Sequence, residues 1–511
     1  MQNVSDDSAK DVKKVAKGAG ISFIGSVTGR CLWLLCQVIV ARYFNAEVFG
    51  LYTLGLMVLK IAELIARFGL HAGAMRFVSI YRKDAPGKVK GIFISASLIS
   101  FVNGLLLAGI VYFFADFISG TIFHKPTLTE IIKSFTPCIP FMATMMVVAV
   151  ASQGFHTTKY AVYIKDIIQP SVNIICIIPF ILLGFGISGV ISAFIISHAV
   201  ALLAGFFFIT GQFSRIKERT VKPVYETWRL LRYSAPLLFN GFLIFLISWT
   251  ATIMLGYMKT SADVGIYRAA SQIPIIFSLI LTASNSIYAP AVAEMHHHGH
   301  MERLEKIFKM TTRWVFLVTL PVTVILIFSA REVMSLFGSH YVETGALVLI
   351  VLAIAQFINA VTGGVAFTLS MTGKQNIEML NSFAMVVMNI ILNYFLIPEY
   401  GSLGAAIATG ISIGAINLIR LLEVYILYKV HPYNLGYIQG VASGVIAVAS
   451  LYFLGGHLQN YSHAIRLIAN SLVVCIIFVI PFIIRGLRDE DRFVFDAVAK
   501  KFKYKIRVSK V

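Results

Sequence analysis

Four ionised side chains lie inside two early hydrophobic segments, each long enough at about 20 residues to cross a membrane. Arg30 lies near the middle of the first segment, and Lys60, Glu63 and Arg67 lie within the second. At 100° per residue, the last three side chains fall within about 60° of one another on a helix. Because an Arg or Lys at the bilayer centre costs about 2.5 to 3.5 kcal/mol, we expect these groups to face a charged cavity inside the protein instead of lipid.

Such a cavity suits an anionic ligand. Cationic side chains make charge-assisted hydrogen bonds with phosphate oxygens, so Arg30, Lys60 and Arg67 are candidate substrate-binding residues. Arg268 lies one turn inside a later hydrophobic segment and is a fourth candidate, with snorkelling toward the membrane surface as the alternative. Glu63 is the candidate coupling-ion site, for a proton or sodium, because low-dielectric surroundings disfavour the charged form of a carboxylate. The alternative is a structural role, in which Glu63 pairs with Lys60 or Arg67 and the polar groups only hold helices together.

Composition places the chain in a membrane. Hydrophobic residues make up 58% of its 511 positions, charged residues make up 13%, and the mean hydropathy is +0.81. Soluble domains average about 25% charged residues. The five cysteines lie inside apolar segments, so no disulfide or metal framework is expected. The sequence therefore predicts an all-α integral membrane protein with about fourteen transmembrane helices.

The net charge of +19 is explained by where the basic residues lie. Most of the 43 Lys and Arg fall on one alternating set of loops between the hydrophobic segments, which is the pattern of the positive-inside rule. We therefore expect both termini in the cytoplasm and no nucleic-acid partner. The C-terminal tail carries aromatic residues among its lysines from Lys500 to Lys510, and we expect it to lie on anionic lipid headgroups.

A repeat of about 215 residues relates the two halves of the chain. Gly50-Leu51-Tyr52 recurs as Gly265-Ile266-Tyr267, and further matches share the same offset. Because each copy holds six helices, an even number, both copies have the same orientation, as in transporters that form a cavity between two bundles. The predicted organisation is a cytoplasmic tail (1–20), an N-terminal six-helix bundle (21–211), a basic linker (212–232), a C-terminal six-helix bundle (233–427), two additional transmembrane helices (436–485) and a basic cytoplasmic tail (486–511).

Other motifs carry little functional weight. Residues 184–189 fit GxGxxG, but they follow a membrane helix, and a tight turn between helices needs such glycines. A histidine cluster at 296–300 lacks the carboxylate or cysteine that would complete a metal site. Arg420 and Glu423 are expected to pair with each other near the end of a late helix. No motif of an ATPase, a zinc enzyme or a serine hydrolase is found, so covalent catalysis, cofactors and bound metals are not expected.

Short motifs resemble those of a known family. The segment 41–44 (Ala-Arg-Tyr-Phe) leads into 49–52 (Phe-Gly-Leu-Tyr), and the segment 288–290 (Tyr-Ala-Pro) leads on to Glu302 and Arg313. Together with the plan of six, six and two helices, they resemble the polysaccharide or oligosaccharide flippases of the Wzx type, the O-antigen or repeat-unit translocases of the multidrug/oligosaccharidyl-lipid/polysaccharide (MOP) exporter superfamily. The resemblance covers most of the chain.

The resemblance implies a flippase that moves an undecaprenyl-pyrophosphate-linked oligosaccharide across a bacterial plasma (inner) membrane by alternating access, for cell-surface polysaccharide biosynthesis. It implies a transporter and not an enzyme, and Arg30 and Arg268 look similar in placement to cavity arginines of lipid-linked precursor flippases. A glycan polymerase or glycosyltransferases are the partners consistent with that role. Two alternatives stay open: a cation-coupled multidrug exporter of the same superfamily, which surplus positive charge in the cavity disfavours, and a non-transporting scaffold in envelope assembly.

Overall fold

The computed structural model describes residues 2–215, 221–458 and 460–485. Within these ranges the regular elements are all helical. The helices are α1 (Gln2–Tyr43), α2 (Ala46–Arg67), α3 (Leu70–Tyr81), α4 (Pro86–Phe113), α5 (Ala115–Phe117), α6 (Leu128–Phe135), α7 (Cys138–Ala151), α8 (Lys159–Val162), α9 (Gln169–Leu182), α10 (Gly186–Arg215), α11 (Thr227–Met258), α12 (Ser261–Gln272), α13 (Ile275–His297), α14 (Met301–Phe328), α15 (Ala330–Ser335), α16 (Val342–Val361), α17 (Val365–Met371), α18 (Gln375–Tyr428), α19 (Tyr437–Leu458) and α20 (His463–Arg485). The basic tail (486–511), with its predicted lipid contact, lies outside the described residues.

Thirteen helical segments of the described chain are long and apolar enough to cross a membrane. This confirms the prediction of an all-α membrane protein with many spans, whereas the predicted count of fourteen is not confirmed. α18 consists of two helices that meet at a break within its 54 residues, as the sequence predicts for 379–397 and 402–427. Gly401 interrupts it with φ 55° and ψ −128°, a backbone conformation that a residue without Cβ adopts at little cost.

The chain divides into two compact units. The first contains Met1–Gln272 and Asn393–Ala405, and the second contains Ile273–Leu392 and Ala406–Val511. In the first unit, buried apolar side chains of α3, α4, α7 and α10 form one continuous cluster. The predicted limits of the two six-helix bundles stay a prediction.

A close crossing of α2 and α12 organises the first unit. A Cβ added at Gly50 would lie 1.7 Å from the carbonyl oxygen of Ser261. A Cβ added at Gly265 would lie 2.1 Å from the carbonyl oxygen of Ala46. Small residues four apart on each helix therefore let the two backbones touch, which is a packing mode typical of membrane helices. Gly50 and Gly265 are also equivalent positions of the predicted repeat, so the two copies of this short motif pack against each other.

α2 ends at a break inside an apolar stretch of 36 residues, Ala46–Tyr81. Phe68 and Gly69 both adopt left-handed backbone angles, with φ 48° and 71°, and α3 continues beyond them. This conformation is costly for Phe68, which carries a Cβ. A Cβ at Gly69 would lie 2.3 Å from the carbonyl oxygen of Ser234, so α11 packs directly on the break. The break makes Arg67 the last residue of α2.

The end of the basic linker packs on the start of α4. The Val224 amide donates a hydrogen bond to the carbonyl of Gly87 (2.8 Å). The Glu226 carboxylate accepts a hydrogen bond from the Tyr81 hydroxyl (2.8 Å) and forms an ion pair with Lys88 (2.5 Å). The hydrogen bond from Lys88, which has the larger effect, and the one from Tyr81 hold the pKa of Glu226 below its usual range. These contacts tie the far end of α3 to the chain that leads into α11.

In the second unit, Arg420 pairs with Glu378, so the predicted pairing with Glu423 is wrong. Nε of Arg420 donates to the Glu378 carboxylate (2.8 Å), and the two side chains form an ion pair. Glu423 instead accepts a hydrogen bond from Asn381 (2.6 Å). The prediction failed because α18 doubles back at Gly401, which brings acids and bases 42 positions apart into contact.

Gly50→Ala should destabilise the protein, because the added methyl group would overlap the Ser261 carbonyl at the α2–α12 crossing. Overpacking costs about 1 to 3 kcal/mol, so we expect the free energy of unfolding in detergent micelles to fall by about 2 kcal/mol. Gly109→Ala in α4 is the matched control, since no atom lies within 4 Å of a Cβ there. Equal stability of the two variants would contradict the close crossing.

Candidate functional site

One face of α2 carries three charged side chains. Lys60, Glu63 and Arg67 follow one another at helical spacing, while Leu59 and Leu64 beside them are buried. Glu63 is only 6% exposed, and its Oε1 lies 3.3 Å from Nε of Arg67. Lys60 and Arg67 stay partly exposed. α2 therefore buries its acid and the paired nitrogen of Arg67, while parts of both cationic side chains stay exposed.

Arg268 joins this group from α12. Its charge acts on Lys60, as do the charges of Glu63 and Arg67. The guanidinium carbon of Arg268 lies 4.4 Å from the centre of the Trp249 ring on α11. Since three cations share one carboxylate, the group has a formal surplus of two positive charges. We call these four charged residues of α2 and α12 the cationic cluster; it attracts anions and suits one with two negative charges.

Arg30 lies in a second charged group, where α1 passes a π-helical turn (Tyr163–Ile168). Asp166 in this turn interacts electrostatically with Arg30, and its Oδ2 accepts a hydrogen bond from Ser26 (3.3 Å). A Cβ at Gly29 would lie 2.5 Å from the Asp166 carbonyl oxygen, so α1 contacts the turn directly. Such π-helical insertions are frequent at functional sites. The described contacts thus place Arg30 beside Asp166, whereas the other three candidate cations share the cationic cluster.

Two histidines border the cationic cluster, and sequence reasoning missed both. His71 follows Arg67 by four residues and interacts with it electrostatically. His198 on α10 interacts in the same way with Lys60. Nδ1 of His198 lies 2.8 Å from the carbonyl oxygen of Phe194. Because a carbonyl only accepts, Nδ1 is the protonated nitrogen and Nε2 of the neutral ring is left as a hydrogen-bond acceptor. The spacing of His71 from Arg67 was a usable sequence signal, but nothing near His198 pointed to Lys60.

The residues of the cationic cluster are suited to binding an ion and exchanging it for another. In the part of the chain that the structure describes, no group of three or more His, Cys, Asp or Glu is placed to hold a metal ion. The rings of His297 and His298 meet edge to face instead, with centroids 5.2 Å apart and an interplanar angle of 72°. Guanidinium and ammonium groups form their strongest hydrogen bonds with oxyanions. The cationic cluster can therefore hold an oxyanion and release it without a covalent step.

Two family models match the chain. A model described as "Polysaccharide biosynthesis protein" matches residues 15–296, and one described as "MatE" matches residues 236–395. The first match covers more than half of the chain. Together they confirm the resemblance that the short motifs indicate.

Several known proteins are similar to this chain. A low-salt glycan biosynthesis flippase of Haloferax volcanii is 27% identical over 208 residues, which are 40% of this chain and 44% of that protein. The chain thus spans less than half the length of this relative. An O-antigen transporter of Shigella flexneri is 24% identical over 387 residues, which are 73% of this chain and 89% of that protein. The solved structure of the lipid II flippase MurJ, in an inward closed conformation, has a TM-score of 0.67 at 18% identity, over 90% of this chain and 98% of that one, which shows a shared fold.

Glu63→Gln should lower the free energy of unfolding by about 3 kcal/mol, because removal of one partner leaves the other charge of a buried pair uncompensated. Glu305→Gln is the matched control, since Glu305 and Lys309 form an ion pair with the same spacing in which the side chains are 29% and 27% exposed. An exposed pair contributes less than about 1 kcal/mol. Chemical unfolding in mixed micelles measures both losses. A loss for Glu63→Gln no larger than that of the control would show that the pair with Arg67 is not a buried one.

Proposed function

Because the chain belongs to the polysaccharide biosynthesis protein family, we propose that it is a flippase for a lipid-linked oligosaccharide, an undecaprenyl-pyrophosphate-linked glycan destined for a cell-surface polysaccharide. The observation that carries the proposal is the cationic cluster, which holds surplus positive charge within membrane-spanning helices. A diphosphate that joins a lipid to a sugar carries two negative charges, which equals the formal surplus of the cluster. The two negative charges of the diphosphate alone are enough to neutralise the surplus positive charge of the cationic cluster.

In the proposed mechanism, the diphosphate takes over the contacts of the cations. Arg67 exchanges Glu63 for phosphate oxygens, and Lys60 and Arg268 bind the same group from α2 and α12. A planar guanidinium binds two phosphate oxygens at once, which orients the headgroup as well as holding it. The polyprenyl tail stays in the lipid, so only the headgroup and the glycan need a polar path. Alternation between inward-open and outward-open states then carries the headgroup across.

Glu63 is the proposed coupling site. When Arg67 turns to the diphosphate, the Glu63 carboxylate is left buried and needs a new positive partner, which a proton or a sodium ion supplies. Departure of the diphosphate restores the ion pair and expels that cation. Binding of the headgroup and of the coupling ion are linked in this scheme because both depend on the same contact between Glu63 and Arg67.

The proposed location is the inner membrane of a bacterium, with both termini in the cytoplasm. The alternating distribution of Lys and Arg supports this orientation. Anionic lipids are the proposed contact of the basic tail (486–511). Glycosyltransferases that build the glycan and a polymerase that consumes it are the proposed functional partners, since a flippase acts between those steps.

A multidrug exporter is the second candidate, because the "MatE" model matches residues 236–395. Its cationic substrates would be repelled by the cationic cluster, which makes this candidate weaker. A third candidate, an envelope scaffold, requires no transport at all. Translocation of labelled lipid-linked oligosaccharide by the purified protein in liposomes separates a flippase from the other two.

The double variant Arg30→Gln/Lys60→Gln should trap lipid-linked oligosaccharide in the cytoplasmic leaflet and abolish surface polysaccharide. The two substitutions remove one cation from the cationic cluster and one from the pair of Arg30 and Asp166. Charge-assisted contacts contribute about 1.5 to 3 kcal/mol each, which predicts a loss of at least tenfold in transport. The measurement compares a strain that lacks the protein with strains that carry the parent or the variant, after membrane insertion has been verified.

Lys374→Gln/Lys429→Gln is the control, because it removes the same amount of charge from exposed positions. We expect it to behave like the parent protein. Normal export by a correctly inserted Arg30→Gln/Lys60→Gln variant would refute the cationic headgroup site. No accumulation in the deletion strain, together with a change in its tolerance to cationic drugs, would favour the multidrug exporter.

A further inference from the structure

We propose that Trp249 is a positioning residue, whose indole ring holds the guanidinium of Arg268 so that its N–H groups face the diphosphate. This inference rests on the proposed function and adds a residue to its binding site. Trp249 lies on α11 and carries no charge, so neither its type nor its place in the sequence connects it with a phosphate site.

The geometry of the pair is that of a cation–π contact. The guanidinium carbon of Arg268 lies 4.4 Å from the centre of the Trp249 ring. Indole is the strongest of the aromatic partners for a cation, and the attraction is stronger where the contact is desolvated. The ring of Phe245 stacks on Trp249 with a centroid distance of 6.1 Å and an interplanar angle of 15°. Since Trp249 and Phe245 are only 6% and 8% exposed, the indole is fixed by packing.

The place of Trp249 along α11 matches that of the cationic cluster along α2. A Cβ at Gly241 would lie 2.8 Å from the Leu64 side chain, and a Cβ at Gly256 would lie 2.5 Å from the Leu54 side chain. These two contacts fix the register of the antiparallel helices α11 and α2. Trp249 lies between Gly241 and Gly256 on α11, and Lys60 lies between Leu54 and Leu64 on α2. Both residues therefore belong to the same stretch of the contact between the two helices.

Arg268 differs from the other arginine of the cluster in the kind of partner it has. Arg67 lies 3.3 Å from a carboxylate, whereas in the described part of the chain no carboxylate forms an ion pair with Arg268. An indole attracts the face of a guanidinium but accepts none of its five in-plane N–H groups. Trp249 therefore stabilises the cation and leaves its donors for a ligand. A carboxylate in the same place would compete with the phosphate.

The test is a double-mutant cycle on the full-length protein in detergent, with inorganic pyrophosphate as the probe and calorimetry as the measurement. Trp249→Leu removes the ring but stays apolar, and we expect pyrophosphate to bind about fivefold more weakly. Trp249→Phe keeps an aromatic face, and we expect it to recover most of that loss. In the Arg268→Gln background, Trp249→Leu should cause no further loss, because the indole acts only through the guanidinium.

Tyr233→Leu is the matched control, since it removes a ring that lies 4.3 Å from the Arg76 guanidinium in the same unit but belongs to neither charged group. It should leave the affinity unchanged. An equal loss from Trp249→Leu with and without Arg268 would show that Trp249 acts by packing alone and would overturn the inference. Where Trp249→Leu does not fold, Trp249→Tyr and Trp249→Phe take its place in the double-mutant cycle. The affinity for pyrophosphate should then be highest with Trp249 and lower in the Tyr and Phe variants.

The outcomes separate this inference from the proposed function. A parent protein that binds pyrophosphate in an Arg268-dependent way, with no response to Trp249→Leu, would overturn only the role of Trp249. A parent protein that neither binds pyrophosphate nor moves the lipid-linked substrate would overturn the proposed function, and the inference with it.

Discussion

An ionised side chain placed among apolar membrane helices needs a partner, and the first unit supplies a different one for each of three arginines. Arg67 lies against the buried carboxylate of Glu63, and Arg268 lies over the ring of Trp249. Arg30 lies beside Asp166 at a π-helical turn. A carboxylate neutralises a cation, whereas a ring stabilises it without removing its charge. The choice of partner therefore decides how much positive charge remains for a ligand.

These polar contacts depend on helices that approach one another closely. Gly50 and Gly265 let the backbones of α2 and α12 touch. This brings Lys60, about three turns further along α2, into electrostatic range of Arg268, about one turn further along α12. Gly29 has the same role where α1 meets the turn that holds Asp166. Small residues in this unit thus bring charged residues of different helices together, in addition to packing the membrane helices.

The sequence predicted those features that depend on spacing within one helix. Membrane helices, the charged stripe of α2 and the alternative of an ion pair to Glu63 all follow from local periodicity, as does the break between two helices near Gly401. Contacts that depend on the fold were missed. Asp166 lies beside Lys165 at the polar start of an apolar segment, and Trp249 lies about 190 positions from Lys60. The pairing of Arg420 was predicted wrongly because helical spacing favours a neighbour, whereas α18 doubles back and offers a better-placed acid.

The break at Phe68 and Gly69 gives α3 the properties of a lever. α3 has 12 residues, so its far end lies about 18 Å from the break. A rotation of about 10° at those two residues displaces that end by about 3 Å, while the turn itself changes little. Tyr81 at the far end is bonded to Glu226, where the chain enters α11. A torsional change beside Arg67 would therefore have to carry along the side chains of α4, α7 and α11 that pack on α3, which couples the break to the start of α11.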